Sequence, residues 1–264
     1  MTDPGDPASV HWHLDGPLAE VRLNRPERLN ALDEAMVATF HGVLDEVASA
    51  PARALLLTAE GRAFSAGRDL QGADPGHEDP AAILRETFNP LLARLHDLPL
   101  PTFAAVQGAC LGVGLGLALA CDVVVAADNA RIGSPFARIG AVLDSGAHRH
   151  LVDRVGAHRT LELVYTGRLL DGQEAAAMGI VNRSVSAESL EAHVREMAVA
   201  VADGPTAAFL ESKALVRRMG REPLDLDAVL AAEAEAQGRA GATGDYAEGI
   251  TAFQEKRAPR FTGS

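Results

Sequence analysis

The sequence predicts an α/β protein with a helical C-terminal region. Short apolar runs that are typical of buried strands alternate with helical patterns as far as about Val185. Such alternation favours a largely parallel sheet covered by helices. Beyond Gly204 and Pro205 only helical patterns follow. We therefore divide the chain into a core, residues 1–204, and a C-terminal helical region, residues 205–264.

Composition narrows the class of protein. The chain has 264 residues, enough to bury one sizeable core, and a net charge of −12. That charge argues against nucleic acid or an anionic membrane as the main partner. Cys110 and Cys121 lie in an apolar stretch without metal-ligand spacing, as expected of small core residues in a reducing compartment. The acidic residues 1–16 contain neither a secretory signal nor a transit peptide, so we expect a cytoplasmic protein.

The first half of the chain predicts a hairpin, a helix and a buried strand. Residues 12–14 and 18–23 are expected to form the hairpin, around the turn at 15–17. Asp33 is placed to cap a helix that Pro51 ends, and residues 53–58 are typical of a short buried strand. Residues 71–80 are rich in Gly, Pro and acidic residues, which is typical of a mobile loop over a site, and a helix at 81–98 follows.

The stretch from Pro101 to His150 organises the rest. Buried strands at 102–106 and 123–127 enclose a glycine-rich turn that leads into a helix at 117–120. Free N–H groups at such a turn favour negative charge and suit the stabilisation of an oxyanion. Downstream, Asp144 is an isolated carboxylate in a neutral segment and a candidate base. A helix cap or an internal hydrogen-bonding residue is the alternative for Asp144.

The alternation of helices and strands continues to about residue 202, and only helices are predicted after it. Helices are expected at 171–178 and 188–202, with a strand at 180–182 between them. The C-terminal region predicts three helices, at 206–219, 226–237 and 246–256.

Several common sites are excluded by spacing. The glycines at 112, 114 and 116 do not follow the dinucleotide spacing, and no phosphate-loop lysine accompanies them. Ser65 and Ser145 do not lie in a G-x-S-x-G elbow, which argues against a hydrolase triad. His148 and His150 lack a ligand pattern, so structural or surface roles are favoured over metal binding.

Four segments together resemble one family along nearly the whole chain: NRPERLNAL (24–32), AFSAGRDL (63–70), LALACDVVVAA (117–127) and TGRLLDGQEAAAMGIVNRSV (166–185). The chain is similar to members of the crotonase (enoyl-CoA hydratase/isomerase) superfamily. The resemblance implies a crotonase-like ββα spiral core and a C-terminal helical trimerisation region. It implies a homotrimer or a dimer of trimers, an acyl-CoA thioester substrate, and no permanently bound cofactor or metal.

The resemblance also implies roles for individual residues. The backbone N–H groups of Arg68 and Val113 would form an oxyanion hole for the thioester carbonyl. Phe253 and Lys256 would approach coenzyme A from a neighbouring subunit, although Lys256 can equally be a solvated surface charge. The remaining residues implied to contact coenzyme A are Arg28, Ala66, Gly67 and Leu70.

Two departures from the family pattern direct the choice of reaction. Hydratases of the family use two glutamates, and their positions correspond here to Gly116 and Phe136. Asp144 instead matches the single aspartate of isomerases in the family. The expected activity is therefore an acyl-CoA isomerisation through a thioester enolate, either a double-bond shift or the conversion of an arene epoxide to an oxepin. Apolar neighbours of Asp144 should raise its pKa and improve it as a base.

Three other activities stay open at this point. One is an enoyl-CoA hydratase with non-standard catalytic residues. Another is an aryl-CoA dehalogenase or hydrolase that uses Asp144 as nucleophile, for which His77 or His96 could serve as the required base. The last is a non-catalytic acyl-CoA-binding protein.

Overall fold

The computed structural model describes residues 8–71, 73–74 and 76–264. The start of the acidic N-terminal segment, residues 1–7, and positions 72 and 75 of the predicted loop lie outside the described residues. No helix in the described part of the chain is long and apolar enough to cross a membrane.

A six-stranded sheet forms the centre of the molecule. Its order is β1-β2-β3-β4-β6-β8, and every pair is parallel except the antiparallel hairpin β1–β2. A separate parallel pair, β5–β7, lies beside it. The strands are β1 (Val10–Asp15), β2 (Leu18–Leu23), β3 (Ala54–Ala59), β4 (Thr102–Val106), β5 (Ala109–Leu111), β6 (Val123–Ala127), β7 (Arg131–Gly133) and β8 (Arg183–Val185).

Helices cover the sheet and then extend beyond it. The helices are α1 (Glu34–Ser49), α2 (Pro80–Ile83), α3 (Asn89–His96), α4 (Val113–Ala120), α5 (Ala147–Thr166), α6 (Gly172–Ala177), α7 (Leu190–Ala202), α8 (Thr206–Arg221), α9 (Leu226–Gly241) and α10 (Gly244–Glu255). Helix α7 packs on the middle strands, α1 packs on β1, and α3 packs between α1 and α4. This places the apolar core on both faces of the parallel strands, whose residues are almost all buried.

Most predicted elements are confirmed. The hairpin, the strands at β3, β4 and β6, and the three C-terminal helices lie where the sequence places them. Asp33 caps α1 by accepting a hydrogen bond from the N–H of Met36 at 2.8 Å. Cys110 and Cys121 are buried free thiols, as expected of core residues.

Several elements differ from the prediction. The strand expected at 180–182 is wrong: these residues bend, and the strand is β8, three residues later. Asn182 explains the shift, because its N–H and its side-chain oxygen both bond to backbone groups of Val124, at 2.8 Å each. The helix expected at 81–98 is divided into α2, a π turn at Leu84–Phe88, and α3. Helix α5 and the β5–β7 pair were not predicted.

Candidate active site

The candidate site begins where two neighbouring parallel strands end. The chain leaves β3 and β4 at the same edge of the sheet, and the segments that follow are joined by hydrogen bonds. The N–H of Ser65 donates to the carbonyl of Ala109, and the N–H of Leu111 donates to the carbonyl of Ser65, at 2.9 Å each. The carboxyl edge of parallel strands is where α/β folds commonly bind ligands.

Two glycines allow these segments to approach so closely. Gly67 has a φ of +100°, and a Cβ there would lie 2.9 Å from the carbonyl oxygen of Leu111. Gly114 lies on α4, where a Cβ would lie 2.7 Å from both the Cβ and the carbonyl oxygen of Ser65. Glycine weakens a helix relative to alanine, so Gly114 is explained by this contact rather than by helix propensity. The contact also explains why α4 begins four residues earlier than the sequence predicts.

The two N–H groups predicted as oxyanion donors are both left free. Gly67 and Asp69 each bond to Leu32, at 2.8 Å, so the N–H of Arg68 between them points away from Leu32. Val113 is the first residue of α4, whose opening N–H groups have no partner within the helix. Across the described residues, neither the Arg68 N–H nor the Val113 N–H has a hydrogen-bond acceptor.

Asp144 lies beside the same end of α4. The next residue, Ser145, packs on Gly116, where a Cβ would come within 2.5 Å of the Ser145 Cβ. Gly116 is one helical turn from Val113, so the contact places Ser145, the neighbour of Asp144, one turn from the start of α4. The Ser145 hydroxyl donates to Oδ1 of Asp144 at 2.7 Å.

The pKa of the Asp144 carboxyl is raised above its ordinary value. Burial of the carboxyl is the main cause, because it disfavours the charged form. The hydrogen bond from Ser145 and the positive charge of His148 oppose the rise. The expected direction of the shift is confirmed, and a half-buried carboxyl with a raised pKa is suited to accept and return a proton.

The positions that correspond to hydratase glutamates are apolar and filled. Ser145 occupies the space beside Gly116, and the Leu92 side chain approaches to 3.4 Å of a Cβ placed there. The ring of Phe136 lies against Gly112 and lines an apolar cavity together with Leu143. Neither position carries a group that can activate water.

The predicted coenzyme A residues of the core lie together near Arg68. The Asp69 carboxylate accepts hydrogen bonds from Arg28 at 3.1 Å and from the Gln71 N–H at 3.0 Å. The pKa of Asp69 is lowered, mainly by the hydrogen bond from Gln71. Arg28 therefore already has a carboxylate partner, which holds its guanidinium at the surface. Leu70 is 55% exposed beside it.

Phe253 and Lys256 are not brought to this cluster within one chain. They lie at the C-terminal end of α10, and the Phe253 ring is 82% exposed. Among the described residues, no hydrogen bond or ion pair joins either of them to Arg28 or to residues 66–70. Their assignment to a neighbouring subunit stays a prediction.

Sequence reasoning missed two contacts of the site. The Arg68 guanidinium forms an ion pair with Glu78 at 2.7 Å, which attaches the end of the predicted loop to the site. The second is the hydrogen bond from Ser145 to Asp144. The position of Ser145 between Asp144 and Gly146 is the sequence signal for a turn that could hold the carboxylate.

The histidines do not form a site of their own. His77 is exposed and paired with Asp74 at 2.7 Å, while His96 lies near His150 in a cleft that Gly116 and Ser145 also line. No cluster of three potential metal ligands occurs in the described part of the chain.

Comparison with known proteins defines the class. The chain belongs to the enoyl-CoA hydratase/isomerase family, whose model matches residues 14–264. It has the crotonase fold: the crystal structure of an enoyl-CoA hydratase from Bacillus anthracis has a TM-score of 0.89, with 29% identity, over 97% of this chain and 100% of that one.

Of two similar proteins, one is named as an isomerase and the other as a hydratase. The chain is 35% identical to the 1,2-epoxyphenylacetyl-CoA isomerase of Escherichia coli (strain K12), over 95% of this chain and 97% of the relative. It is 39% identical to a protein of Rhodobacter capsulatus named "Probable enoyl-CoA hydratase", over 97% of this chain and 98% of the relative.

Proposed function

We propose that the chain is an acyl-CoA isomerase that works through a thioester enolate. The observations that support the proposal are two backbone N–H groups without an acceptor among the described residues, and a half-buried carboxyl whose neighbour, Ser145, packs on α4. Preorganised donors aimed at a developing oxyanion usually supply most of the transition-state stabilisation in such reactions. A single carboxyl that holds a proton suffices to move it from one carbon to another.

In this proposal each group has one task. The N–H groups of Arg68 and Val113 bind the thioester oxygen, and the negative charge of the enolate develops on that oxygen. Asp144 removes the proton from the carbon next to the thioester and returns it elsewhere on the conjugated system. The products are a shifted double bond or, from an arene epoxide, an oxepin. The 1,2-epoxyphenylacetyl-CoA isomerase among the relatives supports the second substrate class.

Coenzyme A is proposed to lie along Arg28, Ala66, Gly67 and Leu70, at the surface beside Arg68. We propose that Phe253 and Lys256 reach it from a neighbouring subunit of a homotrimer or hexamer. Exposed apolar side chains on residues 205–264 support an assembly through this region. They are Val216, Met219, Leu226, Leu230, Tyr246, Ile250 and Phe253.

Hydration is the second candidate, because relatives named as hydratases include the Rhodobacter protein. The two reactions separate when a 3-enoyl-CoA and a 2-enoyl-CoA are supplied in turn. Isomerisation of the 3-enoyl-CoA requires only proton transfer. Hydration of the 2-enoyl-CoA requires an activated water. We expect double-bond migration to be much faster than formation of the 3-hydroxy product. Hydration as fast as migration would replace the isomerase proposal by the hydratase.

A further inference from the structure

Ser145 has an unusual backbone for its residue type. It is 4% exposed and has a φ of +59°, in the left-handed region that residues other than glycine seldom adopt. Gly146, with a φ of +73°, follows it and precedes α5. A strained residue in a buried turn persists only where its surroundings hold it, and such residues cluster at functional sites.

The surroundings of Ser145 are specific. Its Cβ and its carbonyl fill the space beside Gly116, and no side chain larger than hydrogen fits at that position of α4 without displacing it. The N–H of Ala147 donates to the carbonyl of Asp144 at 3.0 Å and closes the turn. The turn therefore fixes where the Ser145 hydroxyl points, which is to Oδ1 of Asp144.

Few other polar groups reach this carboxyl. Helix α4 has no titratable side chain, and Leu92 is what α3 presents at Gly116. The first turn of α5 contributes His148, whose charge acts on Asp144. The same turn carries Arg149 and His150, which line a cleft with His96 and Ser145. The segment Phe136–Ile139 contains only the exposed Arg138. Within the described residues, Oδ2 of Asp144 has no hydrogen-bond partner.

We propose that Ser145 is a positioning residue whose hydroxyl holds Oδ1 of Asp144, so that Oδ2 is the oxygen that accepts the substrate proton. The inference rests on the proposed function. The hydroxyl favours the carboxylate form, against the effect of burial, and it fixes the plane of the carboxyl relative to α4. Removing the hydroxyl frees the carboxyl to rotate and makes it harder to ionise.

Two substitutions separate the hydroxyl from the backbone. Ser145→Ala and Ser145→Gly both remove the hydrogen bond, but only glycine adopts a φ of +59° without strain. Ser134→Ala is the matched control, because the Ser134 hydroxyl is buried without a partner among the described residues. We expect both Ser145 variants to lower kcat for proton exchange by about ten- to a hundredfold, with KM nearly unchanged. In both, the acid limb of the pH–rate profile moves to higher pH. Ser134→Ala should change neither.

A second readout does not depend on turnover. The carbonyl stretch of the protonated Asp144 carboxyl can be followed by infrared difference spectroscopy and assigned by its loss in Asp144→Asn. Its titration midpoint should rise in both Ser145 variants. An unchanged midpoint, or activity restored in Ser145→Gly but not in Ser145→Ala, would overturn the proposal. A shifted midpoint in a chain that exchanges no proton would support the Ser145 contact and overturn the proposed function.

Discussion

Val113→Pro removes one proposed oxyanion donor at small cost to the fold. Val113 is the first residue of α4, where proline is tolerated because its fixed φ suits the helix start. Its N–H has no acceptor among the described residues, so no hydrogen bond of the fold is lost. The preceding residue, Gly112, has no Cβ to clash with the proline ring. We therefore expect a loss of stability well below the ~3 kcal/mol of a proline inside a helix.

The effect on catalysis should be far larger. Removing one oxyanion donor typically costs about 2.7–4 kcal/mol of transition-state stabilisation, which is about 10²–10³ in kcat. The assay is exchange of the substrate proton for deuterium, measured with thermal unfolding of the same preparation.

The matched control is Val113→Ala, which keeps the N–H and removes part of a side chain that is 3% exposed. It should lose about 1–3 kcal/mol of stability and keep most of its exchange rate. A Val113→Pro chain that folds and exchanges protons at the wild-type rate would refute the assignment of this N–H.

Two further predictions concern stability. Burial raises the pKa of Asp144 in the folded chain, so its contribution to stability is fully present below the unfolded pKa and is lost as pH rises through the folded pKa. Asp144→Asn should therefore raise the free energy of unfolding at pH 7, measured by denaturant titration, and this gain should vanish near pH 3. A lower free energy of unfolding at pH 7 would contradict this. Gly114→Ala should destabilise the chain and slow proton exchange, because a Cβ there would lie 2.7 Å from Ser65. Its control is Gly238→Ala on α9, where a Cβ meets nothing within 4 Å; this variant should stabilise the chain by about 0.5–1 kcal/mol. Equal melting temperatures for the two variants would contradict the packing argument.

The sequence anticipated the sheet because its parallel strands are continuous apolar runs, which solvent-exposed segments do not show. Short elements were harder to predict. Strands β5 and β7 have three residues each, and their pairing depends on contacts between distant segments. Helix α5 lacks a continuous apolar stripe and contains Gly156 with a φ of +74°, which interrupts the helical geometry.

For the site, the sequence indicated the main candidate residues but not the contacts between them. Asp144 was found because it is the isolated carboxylate of its segment, and the oxyanion positions followed from the family resemblance. The role of Ser145 could not be found, because its left-handed φ and its fit against Gly116 arise only when α4 and the start of α5 pack together. The ion pair of Arg68 with Glu78 likewise depends on the path of the intervening loop.

Proton exchange tests the central claim most directly. Phenylacetyl-CoA and a 3-enoyl-CoA would each be incubated in deuterated water with the wild-type chain and with Asp144→Asn. We expect deuterium incorporation and double-bond migration with the wild type, and loss of both in the variant. Exchange that survives Asp144→Asn would place the base on another residue, and binding without exchange by the wild type would contradict enolate chemistry altogether.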